Sequence, residues 1–228
     1  MPTVSAAISA ISDPSIRRVA PGSLMTVFGA NFARVITDVG SSFDGVNAPA
    51  SFNGVSVRIG DLVAPIVTLG DGYVVVQVPF ETTPGTRRVT VRTAAGESTP
   101  VEVEVAATAP AIYFDTQAGI FTNLSYMLTG RPGAAAEKGQ YIIVFTTGLA
   151  PLAPIPTGQY FTTGANAAPV TATIDNRPAT VFAAVTSPGF IGLYQVYVLV
   201  PAETASGTVP LQLRSGGAAS NTVNLVVR

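Results

Sequence analysis

Along much of the chain, apolar and polar residues alternate with a period of two. Val55, Val57 and Ile59 alternate with Ser56 and Arg58, and Val89 and Val91 with Arg88, Thr90 and Arg92. Val101, Val103 and Val105 alternate with Glu102 and Glu104. This pattern puts apolar side chains on one side of a strand and polar ones on the other. One side buried and one wet is the mark of an antiparallel sheet. Tyr73–Val78 and Leu193–Val200 are denser in apolar residues and read as central strands. Turn signals bound these runs at Asn53-Gly54, Asp71-Gly72, Pro84-Gly85, Ser187-Pro188-Gly189 and Gly216-Gly217. No stretch carries a 3.6-residue apolar stripe.

The pattern occurs twice. An offset of 122 relates Val78-Pro79 to Val200-Pro201, Gly85-Thr86 to Gly207-Thr208, Val91-Arg92 to Leu213-Arg214 and Ser98 to Ser220. It also pairs Val101, Val103 and Val105 with Val223, Leu225 and Val227. Earlier in each half the offset shrinks, to 115 between Ile59 and Ile174 and to 117 between Val27-Phe28 and Val144-Phe145, as loops of unequal length require. Short strands, frequent turns and repeat units near 100 residues predict an all-β chain of two tandem immunoglobulin-like antiparallel β-sandwich domains. The first is expected over residues 1–108 and the second over 139–228. Residues 109–138 break the pattern with Ile112, Tyr113, Phe114, Ile120 and Phe121, then Arg131-Pro132-Gly133 and an alanine run. They read as a connector packing between the domains. The Pro-rich stretch 149–164 reads as a surface loop of the second domain.

Composition narrows the functional classes. The 228 residues are 47% hydrophobic and 11% charged, so each half has the apolar content for a core. The net charge is -1, with one lysine, Lys138, and arginines spread through both halves. Without a basic stripe, neither nucleic acid nor an anionic membrane surface is an expected partner. No apolar run of about 18 residues is present to span a membrane as a helix. The start, Met1-Pro2-Thr3-Val4, lacks the basic and apolar regions of a signal peptide, so secretion would make this chain a processed or excised form. The weak charge gives little electrostatic protection against association and hints at life within something larger.

Candidate chemistry is sparse. With no histidine and no cysteine, histidine-based acid–base catalysis, thiol nucleophiles and ordinary zinc sites are removed. No phosphate-binding Gly-rich loop ending in Lys occurs, and no cofactor is expected. Carboxylates remain at Asp38, Asp44, Asp61, Asp71, Glu81, Asp115, Glu137, Asp175 and Glu203. A pair of them would make a carboxylate-based hydrolase, and Asp38 or Asp44 would sit in a calcium loop. No motif joins them, and solvated loop charges are the plainer reading. Glu102, Glu104, Arg88 and Arg92 read as wet strand faces, with cross-strand pairs worth about 0.2–1 kcal/mol each. Asn123-Leu124-Ser125 has the form of a glycosylation site but reads as plain loop. Tyr126, Tyr160 and Phe161, in loop-like sequence, are the candidate ligand-facing aromatics for stacking on sugar; the alternative is that they cap sandwich ends. Val4, Ala6, Ile8 and Ala10 alternate with small residues and form a strand-capable segment. It is either an edge strand of its own domain, which costs less ordering entropy, or a strand donated to a neighbouring subunit.

Pro21-Gly22-Ser23-Leu24 followed by Val27-Phe28-Gly29-Ala30-Asn31-Phe32-Ala33 resembles the opening of TIG/IPT-type immunoglobulin-like domains. Further pieces are Val76-Gln77-Val78-Pro79-Phe80-Glu81, Ala118-Gly119-Ile120-Phe121-Thr122, Thr147-Gly148-Leu149-Ala150-Pro151, Pro188 to Val196 and Ser220-Asn221-Thr222-Val223. With these, nearly the whole chain is similar to an uncharacterised C-terminal domain family of large acidobacterial secreted proteins. The resemblance implies an extracellular or cell-surface accessory module and brings no catalytic residues. The expected function is therefore non-catalytic: structural or adhesive work, including self-assembly into an oligomer or filament by strand addition. The expected partner is protein, the chain itself or a cell-surface assembly. A carbohydrate-binding module with polysaccharide as partner is the alternative, and a hydrolase the third.

Overall fold

The structure is a computed structural model that describes residues 1–11, 16–33 and 39–228. Among these residues there is no α-helix; a 3-10 turn at Val39–Ser42 is the sole helical element. Strands form two units. Unit 1 comprises Met1–Ala107, Pro154–Thr162 and Pro188–Gly192, and unit 2 comprises Thr108–Ala153, Thr163–Ser187 and Leu193–Arg228.

Unit 1 is a sandwich of ten strands: β1 (Thr3–Ser9), β2 (Arg18–Val19), β3 (Leu24–Ala30), β4 (Ser56–Ile59), β5 (Leu62–Ala64), β6 (Ile66–Gly70), β7 (Tyr73–Gln77), β8 (Gly85–Thr93), β9 (Gly96–Glu97) and β10 (Val101–Val105). One sheet runs β1-β3-β7-β6; the other runs β2-β10-β8-β4-β5, with β9 on β8. The chain begins on one sheet and crosses to the other, where β2 pairs in parallel with β10. This crossing is the immunoglobulin-like arrangement. The core is filled by the inward alternation read from sequence: Val27, Val57, Ile59, Val74, Val76, Val89, Val91, Val103 and Val105 all lie within it. Asn53 (φ 48) and Gly54 (φ 74) make the tight turn predicted for Asn-Gly.

Unit 2 repeats the plan with β11 (Ala111–Ile112), β12 (Phe121–Thr122), β13 (Leu128–Thr129), β14 (Tyr141–Thr147), β15 (Val170–Ile174), β16 (Arg177–Ala179), β17 (Val181–Thr186), β18 (Tyr194–Leu199), β19 (Gly207–Ser215), β20 (Ala218–Ala219) and β21 (Val223–Val227). One sheet runs β13-β12-β14-β18-β17 with β11 also on β14, and the other runs β16-β15-β19-β20 with β21 on β19. The internal repeat extends to single hydrogen bonds. Ser98 Oγ accepts from the Val91 amide (3.1 Å), and Ser220 Oγ accepts from the Leu213 amide (2.9 Å). The Gly22 amide donates to the Val78 carbonyl as the Gly139 amide does to Val200, and the Ala106 amide donates to Val19 as that of Arg228 does to Ala136.

Three expectations are corrected. Residues 109–138 are not a connector outside the domains. β11 and β12 both pair with β14, so together they are the first strand of unit 2, and the Ala136–Val227 parallel bridge stands where β2 pairs with β10 in unit 1. The repeat was hidden because the strand is interrupted between Ile112 and Phe121.

Second, 149–164 is not simply a surface loop of the second domain, because its centre, Pro154–Thr162, belongs to unit 1. Gln77, with no exposed surface, holds it: Nε2 donates to the Gly22 carbonyl (3.2 Å), and Oε1 accepts from the Gly158 amide (2.6 Å). Thr157 Oγ1 accepts from the Phe80 amide (2.9 Å) and donates to Glu81 (2.7 Å). Gly158 sits at φ 82, where a Cβ would come within 2.9 Å of the Pro65 ring, so the position favours glycine.

Third, Val4, Ala6, Ile8 and Ala10 do not share one face. A bulge at Ser5 shifts the register between Val4 and Ala6, so Val4 and Ala7 pack on the core while Ala6 and Ile8 lie on the opposite side. The bulge falls where the Thr3 carbonyl crosses Gly29 so closely that a Cβ would collide with it. β1 is paired along β3 within its own unit. The in-domain edge strand is thus the arrangement adopted.

Candidate functional site

The sequence-picked aromatics do not form one site. Phe161 is 3% exposed in unit 1, where its amide donates to the Phe190 carbonyl. Tyr160 is half-buried in the same unit and stacks on Phe43, ring centres 4.6 Å apart. Burial follows from their place in the segment that Gln77 anchors, so neither is an open sugar platform. Tyr126 is 58% exposed and belongs to unit 2.

Around Tyr126, unit 2 gathers aromatics from several strands. In β14, Ile142 and Val144 point to the core, as their unit 1 counterparts Met25 and Val27 do. Period-two alternation then places Tyr141, Ile143 and Phe145 on the opposite side, where Tyr141 and Phe145 are half-buried and Ile143 is fully covered. Cross-strand pairing sets Leu199 beside Tyr141, Tyr197 beside Ile143 and Gln195 beside Phe145. On β17, Ala183 and Val185 continue this side, and Phe182, in a bulge between Val181 and Ala183, is 75% exposed. Phe182 meets the Tyr141 ring edge-on, 5.9 Å between centres.

Tyr126 sits at the tip of the β12–β13 hairpin. Asn123 builds the tip: its Oδ1 accepts from the amides of Ser125 (2.9 Å) and Met127 (3.1 Å). Tyr126 itself is held at φ 59, an unfavourable backbone for a bulky residue that the turn imposes. Its hydroxyl donates to Gln195 Oε1 (3.3 Å), which also accepts from the Tyr197 hydroxyl (2.9 Å). Gln195 Nε2 donates to Ser187 Oγ (3.0 Å), which fixes the amide orientation. Burial, and then the neighbouring Tyr126 hydroxyl, push the Tyr197 phenol up to about 12, so it stays protonated at neutral pH.

A cleft of about 520 Å³ opens beside Tyr141. Its walls come from Asn123–Ser125, Leu128, Thr129, Gly133–Glu137, Gln140–Ile142 and Arg228. Glu137 and Arg228 form an ion pair, and Gln140 is exposed. The arrangement offers ring faces and edges, hydroxyls and an amide side by side, which suits a polyhydroxylated ligand with apolar C–H faces.

Several of the candidate carboxylates are engaged locally. Asp115 accepts from the amides of Gln117 (2.8 Å) and Ala118 (3.0 Å) and pairs with Arg131 (3.0 Å), and those bonds hold it below the usual carboxylate range. Glu81 is engaged by Thr157, Glu137 by Arg228, and Asp44 lies in a small exposed turn closed by Asn47. Asp38 lies outside the described residues. Among the described residues, no group of three or more acidic side chains is placed to hold a metal ion.

Sequence reasoning missed Tyr141, Phe182, Gln195 and Tyr197. The signal was present in Tyr194–Leu199, where strict alternation assigns Gln195, Tyr197 and Leu199 to one side. The density of apolar residues made the strand look buried on both.

No protein-family model matches the chain, and no curated protein matches it. Among solved structures, it is similar to the surface glycan-binding protein SGBP-B of the Bacteroides ovatus mixed-linkage glucan utilization locus, solved with a mixed-linkage heptasaccharide. The identity is 11% over 93% of this chain and 44% of that one, with a TM-score of 0.39. It is similar to surface glycan-binding protein PbSGBP-B from Prevotella bryantii, with 14% identity over 97% of this chain and 41% of that one and a TM-score of 0.31. A chimeric titin Z1Z2 tandem aligns over 100% of this chain and 96% of its own length, with 17% identity and a TM-score of 0.26. The chain therefore spans less than half the length of either glycan-binding protein, and likeness at this level carries no functional argument.

Proposed function

We propose that the chain is a non-catalytic extracellular or cell-surface module that binds polysaccharide along the outward side of β14, β17 and β18 in its second sandwich. The observation that carries this reading is the aromatic strip of Tyr126, Tyr197, Tyr141 and Phe182 beside a polar cleft. An antiparallel sheet facing water normally carries polar and charged side chains there. A strip of partly exposed rings in their place is a cost in water unless something covers it. Sugar rings suit it, since their C–H faces stack on aromatics while their hydroxyls reach Gln140 and the tyrosine oxygens. The resemblance to domains of secreted proteins supports an extracellular setting. Assembly by donation of the N-terminal strand ranks second, because β1 is already paired within its own unit.

The test is affinity electrophoresis of the full chain through gels containing soluble β-glucan, mannan or xylan, beside Phe182→Ala and Tyr126→Ala. Both side chains are mostly solvent-exposed, so the variants are expected to fold. Retardation of the parent chain by at least one polysaccharide, weakened about tenfold or more in either variant, is the expected result; a buried aromatic contact is worth about 1.4 kcal/mol or more. Retardation unchanged in both variants would place binding elsewhere and overturn the assignment.

A further inference from the structure

We infer, resting on the polysaccharide reading above, that the ligand of this face is an uncharged polysaccharide and that acidic ones are excluded. The reason is the direction of the hydrogen bonds. The Tyr126 and Tyr197 hydroxyls both donate inward to Gln195 Oε1, and the Gln195 amide hydrogens are turned to Ser187. What these two tyrosines present outward is therefore oxygen lone pairs. Lone pairs accept from sugar hydroxyls and repel a carboxylate or sulfate.

The three strands themselves supply no cation. None of the residues of β14 (Tyr141–Thr147), β17 (Val181–Thr186) or β18 (Tyr194–Leu199) is charged. Arg228, in the cleft wall, is paired with Glu137, so these two groups together add no net charge. Recognition of an anionic polymer rests on free Lys or Arg and weakens steeply with salt. Here the fixed groups are neutral acceptors and aromatic rings, so binding is insensitive to salt. Gln195 is the positioning residue: it touches no ligand but sets which way both hydroxyls point.

The experiment is titration calorimetry of the full chain against neutral polymers (β-glucan, mannan, xylan) and acidic ones (polygalacturonate, alginate, heparin) at 20 and 500 mM NaCl. Tyr197→Phe, which removes one lone-pair acceptor and leaves the ring, is run alongside. The inference expects binding to a neutral polymer that changes less than twofold between the two salt concentrations and weakens about three- to tenfold in Tyr197→Phe. Preference for an acidic polymer, lost at 500 mM NaCl, would overturn the inference and leave the polysaccharide reading standing. Neutral binding unaltered in Tyr197→Phe would overturn the hydrogen-bond argument. Absence of binding to every polymer would overturn the polysaccharide reading, and the inference with it.

Discussion

Gln77→Leu isolates the contact that anchors residues 154–162 in unit 1. The side chain is fully buried and makes two bonds, to the Gly22 carbonyl at 3.2 Å and from the Gly158 amide at 2.6 Å. Leucine fits the same place in the sheet, since the repeat puts Leu199 there in unit 2. The substitution therefore removes hydrogen bonds with little change of volume. Each buried partner left unmade costs about 1–3 kcal/mol. The longer bond falls at the low end, so the total is about 3 kcal/mol. With a urea slope of about 1–3 kcal/mol per molar, the unit 1 transition moves down by about 1–3 M. Urea unfolding followed by circular dichroism measures the shift, and amide exchange assigns it. The Gly158 amide and the Ala48 amide that donates to the Gly158 carbonyl lose protection first. An unchanged midpoint with both amides still protected would refute the claim that Gln77 anchors this segment.

Three further perturbations follow the same logic. Gly148→Ala places a Cβ against the Ala109 carbonyl at φ 78, so unit 2 loses roughly 2 kcal/mol or more and its melting temperature falls by several degrees in calorimetry. The Tyr113, Tyr194 and Tyr197 phenols are raised by burial, Tyr197 to about 12. The unfolded chain releases these protons first, near pH 10, so their contribution is intact below pH 10 and is lost as pH rises from 10 towards 12. Denaturant melts across that range, with absorbance at 295 nm reporting tyrosinate, check the slope. Asp115 is depressed, so its contribution is present above the ordinary carboxylate range and is lost as pH falls through its lowered value. Asp115→Asn flattens the acid limb of the stability curve of unit 2, read by melts between pH 2 and pH 5.

Much of the fold was legible because strand alternation is written locally. Val55, Val57 and Ile59 needed only their neighbours to declare a half-buried strand, and the equal offsets of Ser98 and Ser220 marked a hairpin contact made twice. What was hidden depends on residues far apart. β11 and β12 pair with one strand across an interruption, so no continuous run announces them. The anchoring of 154–162 depends on a buried glutamine 81 positions away. The bulge at Ser5, set by the close approach of backbone at Gly29, splits an alternation that looked uniform. The site was legible only at Tyr126, which loop-like sequence exposed. Tyr160 and Phe161 carry the same local signal but are enclosed in unit 1. Tyr141, Tyr197 and Phe182 lie in strands, where hydrophobicity reads as core. Only the side of the sheet they occupy makes them surface.

Amide hydrogen exchange of the full chain, with and without a saturating neutral polysaccharide, bears most directly on the central claim. The account predicts added protection confined to unit 2, in β14, β17, β18 and the hairpin tip at 123–128, with strands of unit 1 unchanged. Protection appearing instead on unit 1, or on the β15–β19 sheet of unit 2, would contradict it.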